Sequence, residues 1–142
     1  MEKEFYQGNR QRLYGKMKEH SLLVIFSGTE VRKTVDEFYP FYTNRNFLYL
    51  TGLESKELVL LAKKDGEGQV REKIFLLPPD LLKERWTGAR IRQDEAAEIS
   101  GIADAGYAEE FAGELHRLAL TGDYRHIYLD LYREELGDRD EP

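Results

Sequence analysis

The stretch LVLLAKKDGEGQVREKIFLLPP, residues 58–79, decides the fold. It opens on an apolar run, LVLLA (58–62), passes through KKDGEGQ (63–69), returns to an apolar run at IFLL (74–77), and stops at Pro78-Pro79. The middle segment is rich in Gly and Asp, residues that supply turn geometry at low steric cost, so the two runs are read as neighbouring antiparallel strands joined by a hairpin loop. Neither run alternates apolar with polar. A continuous apolar strand is buried on both of its faces, and a sheet made of such strands needs helices on both sides.

Working outward, LLVIF (22–26), ended by Ser27-Gly28, and FLYL (47–50) have the same continuous character and are read as further strands. HIYLDLY (126–132) is read as another. Helices are expected at 2–19, with Phe5, Tyr6, Leu13 and Met17 on one stripe, at 93–99, and at 107–120, where Tyr107, Phe111, Leu115 and Leu118 recur at helical spacing. Residues 78–92 show no clear period and are read as a long irregular loop, a kind of segment that tends to be functional or mobile. The sum is an α/β fold: a mixed β-sheet flanked by helices on both faces, in a single domain spanning 1–142.

Composition excludes several classes of function. Hydrophobic residues make up 41% of the 142 and charged residues 34%, an ordinary globular balance. A net charge of −6 repels phosphate backbones, so nucleic acid is not an expected partner. There is no Cys, which removes disulfides, thiolate nucleophiles and Cys-based zinc sites and fits a reducing compartment. No apolar run approaches the ~20 residues that span a bilayer, and the first dozen residues lack the apolar core of a signal peptide, so no membrane partner and a cytoplasmic location are expected.

Catalytic chemistry is hard to find in these residues. His20, His116 and His126 are scattered and lack metal-ligand spacing. The acidic pairs Asp94-Glu95, Glu109-Glu110 and Glu134-Glu135 are adjacent residues, which do not share a helix face. DGEGQ lacks the third Gly of a dinucleotide fingerprint, and Ser27 lacks the G-x-S-x-G setting of a nucleophile elbow. No catalytic and no metal-ligating residue is assigned. What stands out is the only Trp, Trp86, set among Lys83, Arg85, Arg90 and Arg92. Such a Trp is either a core plug or an exposed contact residue, and the residues alone lean to the plug. Arg90, four positions on, is placed to stack on the indole if the segment is helical.

VDEFYPFYTNRNFLYLTGLESKELVLLAKKDG, followed by IFLLPPDLLKERWTGARI, resembles the N-terminal domain of Xaa-Pro aminopeptidases. This is the creatinase/prolidase-like N-terminal domain of the M24 metallopeptidases. The residues that carry the resemblance are Asp36, Tyr39-Pro40-Phe41, Asn44, Phe47, Tyr49, Thr51-Gly52, Glu84, Trp86, Gly88 and Arg90; the opening helix, with Arg10, Arg12, Leu13 and Met17, fits as well. Tyr42 and Asn46 depart from the Arg and Asp that the family often carries there.

The resemblance implies that catalysis lies in a following C-terminal domain, absent from these residues, where two divalent metal ions, typically manganese, act on peptides with proline in second position. It implies a homodimer or homotetramer, to which this domain contributes contacts while walling the active-site cleft. It assigns Trp86 first and Arg90 second to the substrate cleft or the intersubunit contact, since in bacterial relatives the loop bearing the matched Trp reaches a neighbouring subunit's active site. Asp36, Tyr39, Pro40, Asn44, Tyr49 and Gly52 are assigned to structure. The alternatives are a stand-alone protein-interaction module, with exposed aromatics at 39–42 and 86 as its patch, and the N-terminal domain of a prolidase- or creatinase-type relative.

Overall fold

Three antiparallel strands form the centre of the fold. In the computed structural model, which describes residues 2–28 and 44–129, β1 (Ser21–Phe26) pairs with β2 (Val59–Lys64), and β2 pairs with β3 (Val70–Leu76) through the expected hairpin. Lys64 faces Val70 across the turn, and the Asp65 carboxylate accepts the Glu67 and Gln69 amides, which closes it. Two short strands then join in parallel at opposite edges: β4 (Ala105–Tyr107) beside β3, and β5 (His126–Leu129) beside β1. The order is β4-β3-β2-β1-β5, a mixed sheet.

Both faces of the sheet are covered, as the continuous apolar runs require. On one, Leu23, Ile25, Leu60, Ala62, Ile74 and Leu76 pack against α1 (Lys3–Lys16), α2 (Arg45–Thr51) and α4 (Gln93–Ser100). On the other, Val24, Val59, Leu61 and Phe75 pack beneath Phe111, Leu115 and Leu118 of α5 (Phe111–Thr121). No helix among the described residues is long and apolar enough to cross a membrane.

Four expectations change. FLYL is not a strand: residues 45–51 are α2, with the Asn44 side chain capping its start by accepting the Phe47 amide at 3.0 Å, and Gly52 ending it in the left-handed region at φ +74°. Phe47, Leu50 and Thr51 are buried at helical spacing, while Tyr49 stands on the outer side. Residues 78–92 are not irregular throughout, since 81–87 form α3 (Leu81–Thr87). Tyr107 lies on β4 and not on the last helix, which begins at Phe111 after a single tight turn. The expected stripe on α1 holds only in part: Leu13 and Met17 pack into the core, but Phe5 is exposed, and the buried residues of the helix are Asn9, Arg10 and Tyr14.

That buried polar face has partners. The Arg10 guanidinium donates to both Glu72 carboxylate oxygens and to the Leu50 carbonyl at 2.8 Å, and the Asn9 amide donates to the Tyr49 carbonyl at 2.7 Å. Lys64, also buried, donates its ammonium to the Tyr14 and Met17 carbonyls and so satisfies the C-terminal end of α1.

Candidate functional site

α3 follows from its local sequence. Pro78 and Pro79 end β3, and the Asp80 carboxylate then caps the helix by accepting the Lys83 amide at 3.1 Å. Gly88 closes it at φ +101°, ψ 158°, a conformation essentially reserved for glycine. No apolar residue of α3 is buried. Leu82 and Trp86, one turn apart, share an exposed face, and Trp86 is 82% exposed. The core-plug reading of Trp86 is therefore wrong: a helix that lies off the sheet presents the indole outward.

The inner side of α3 is polar. Glu84 Oε1 accepts the Arg90 amide at 2.9 Å, and Oε2 accepts the Asp80 amide at 2.9 Å and an Arg92 guanidinium N–H at 3.1 Å. The Arg90 amide first, then the Asp80 amide and the Arg92 charge, hold the Glu84 carboxyl down at about 2, against a smaller opposing effect of burial. Arg90 turns its guanidinium to the Pro78 carbonyl at 2.7 Å, so it ties the two ends of the 78–92 segment together, and this contact replaces the expected stacking on Trp86. Next to this segment lies a cleft of about 230 Å³, lined by Ser55, Lys56, Leu77, Thr87, Gly88 and Arg90.

The other sequence-assigned residues fall elsewhere. Asn44, Tyr49 and Gly52 all belong to α2: Asn44 caps it, Tyr49 sets its ring edge-on to Phe5 at 6.2 Å, and Gly52 lies where a Cβ would come within 2.5 Å of the Tyr6 ring. Asp36, Tyr39, Pro40 and the aromatics at 41–42 lie outside the described residues. Ser27 is fully buried and its hydroxyl accepts the Leu58 amide at 2.9 Å, a strand-pairing contact. His20 turns the chain at φ +60° with its ring beside the Asp123 carbonyl, His116 is exposed on α5, and His126 opens β5. Among the described residues, no three His, Cys, Asp or Glu side chains gather in a way that could hold a metal ion. The sequence does not single out Glu84, although an acidic residue between Asp80 and the later Arg90 and Arg92 is the composition such a clamp needs.

Residues 6–128 match the family model described as "Aminopeptidase P, N-terminal domain". An Xaa-Pro aminopeptidase of Haemophilus influenzae is 34% identical over 116 residues, covering 82% of this chain and 27% of that protein. Among solved structures, a Bacillus anthracis protein described as an aminopeptidase P superposes with a TM-score of 0.90 at 31% identity, covering 99% of this chain and 33% of that one. Aminopeptidase P from E. coli, solved with the inhibitor Pro-Leu, superposes at 0.83 with 28% identity, covering 96% and 31%. The chain thus spans about a quarter to a third of the length of these relatives.

Proposed function

The chain belongs to the aminopeptidase P N-terminal domain family, and on that premise we propose that it is the non-catalytic domain of an Xaa-Pro aminopeptidase, which removes the first residue of peptides with proline in second position. On this reading the 142 residues form one domain of a longer cytoplasmic protein, and a C-terminal catalytic domain is its first partner. The metal pair expected of the family, manganese by the resemblance, has no ligand set among the described residues and belongs to that catalytic domain. The N-terminal domain contributes contacts within a homodimer or homotetramer and walls the cleft in which the peptide lies.

The observation that carries this reading is the exposed Trp86 on a helix that adds nothing to either core, within a segment, 78–92, held together by five polar contacts. An indole held outward in this way suits a proline ring, which is apolar and has no N–H to satisfy. Arg90 serves by fixing the loop through Pro78, with its charge at the rim of the neighbouring cleft.

The test is Trp86→Ala in the full-length protein. We expect kcat/KM on an Xaa-Pro peptide to fall about tenfold, ~1.4 kcal/mol of transition-state binding, with Tm unchanged. A loss of Tm in step with activity would sink the reading. Where the indole reaches a neighbouring subunit, hybrids of Trp86→Ala subunits with subunits inactivated in the catalytic domain regain activity; hybrids that remain inactive place it in its own subunit's cleft.

A further inference from the structure

Trp86 needs a fixed direction if it is to meet a substrate, and apolar packing does not supply one. α3 buries no apolar side chain, and a helix of seven residues has little stability of its own. What roots it is the Glu84 side chain, which is only 8% exposed. Its two oxygens bind the amide before the helix (Asp80), the amide after it (Arg90) and the guanidinium of Arg92, so one carboxylate joins the entry, the body and the exit of the segment. Successive side chains of a helix are turned by about 100°, so Glu84 and Trp86, two positions apart, stand on nearly opposite sides. Fixing the first inward therefore fixes the second outward.

We propose that Glu84 is the positioning residue for Trp86: its carboxylate, bonded at once to Asp80, Arg90 and Arg92, sets the direction in which α3 presents the indole. The inference rests on the reading of Trp86 as the functional side chain of the domain. It assigns Glu84 no contact with substrate. A neutral amide at this position keeps an acceptor at one oxygen and sets an N–H donor against a donor at the other, so it holds the segment only in part.

Trp86 is the only Trp of the chain, so its fluorescence reports on α3 alone. In Glu84→Ala we expect the residual anisotropy of Trp86 to fall, its quenching by acrylamide to rise, and the Asp80 and Arg90 amides to lose protection from hydrogen exchange. Amides of β1 to β3 should keep their protection, which shows that the variant is folded. Glu84→Gln should lie between wild type and Glu84→Ala. In the full-length protein, Glu84→Ala should lower kcat/KM no further than Trp86→Ala, and the double variant should lose no more than Trp86→Ala alone. Unchanged Trp86 anisotropy in Glu84→Ala would overturn the proposal, and so would a double variant whose loss is the product of the two single losses. If Trp86→Ala leaves activity intact, the reading of the site fails, and the anisotropy result alone decides the role of Glu84.

Discussion

Arg10 and Glu72, 62 residues apart, meet as a two-pronged ion pair, Nε to Oε1 at 2.8 Å and Nη2 to Oε2 at 3.2 Å, with the Arg10 side chain 1% exposed and Glu72 23%. The pair ties α1 to β3, and the third prong ties it to the Leu50 carbonyl at the end of α2. Arg10→Ala takes the guanidinium from both Glu72 and the Leu50 carbonyl and should destabilise the fold by about 3 kcal/mol, read as a shift in the urea midpoint. Arg10→Lys should recover only part of this, because an ammonium cannot bind both oxygens of a carboxylate side by side.

Tyr14 donates its hydroxyl to the same Glu72 at 2.7 Å. Burial first, then the Glu72 charge and the hydrogen bond to it, raise the phenol well above its ordinary 10.0. The folded state therefore keeps a proton that the unfolded chain gives up above pH 10. This contribution to stability is complete below that pH and is lost as pH rises past it. Alkaline unfolding should start near pH 10 in wild type and lose this component in Tyr14→Phe, measured as Tm against pH.

Gly52→Ala meets two costs at once. The left-handed conformation at φ +74° costs an L-residue about 1–2 kcal/mol, and the new methyl would lie 2.5 Å from the Tyr6 ring. A total loss above ~2 kcal/mol is expected in chemical denaturation. In a Tyr6→Ala background the steric part disappears, so the penalty for Gly52→Ala should shrink to about 1–2 kcal/mol.

Acid should free α3 before the sheet. Glu84 falls from its ordinary 4.5 to about 2, so its stabilisation is fully present above pH 4.5 and is lost as pH falls toward 2. In that window the released segment binds a proton that the clamped one does not. Trp86 anisotropy should drop across it while the far-ultraviolet circular dichroism of the sheet persists. In Glu84→Gln the anisotropy should start lower and stay flat with pH.

Much of the fold was legible because hairpin chemistry is local. Asp65, Gly66 and Gly68 between two apolar runs specify β2 and β3, and continuous strands require two covered faces. α2 is not legible from its apolar run, because four apolar residues in a row suit a strand or a buried helix equally. Its caps, Asn44 and Gly52, were in the sequence and would have decided the matter, as Asp80 and Gly88 would have for α3. The buried charges were a different kind of problem. Nothing local distinguishes Arg10 or Lys64 from a solvated residue, since each is satisfied by groups 40 to 62 positions away. Trp86 could be singled out by its rarity, but its direction depends on the contacts of Glu84, which come from both ends of the loop.

The parallel pairing of β5 with β1 sets Ser21 beside His126 and Val24 beside Leu129. As the chain leaves the ribosome, α1 and the β1–β2–β3 meander are complete by residue 76, yet the outer edge of β1 has no partner until residue 129 emerges. At about 5–20 residues per second that interval lasts roughly 3–10 s. Through those seconds the nascent domain carries an open strand edge, and α5, the helix that will roof the second face, arrives only near the end. An unpaired edge of this kind is where a growing chain is most exposed to mispairing with another copy or to capture by a chaperone.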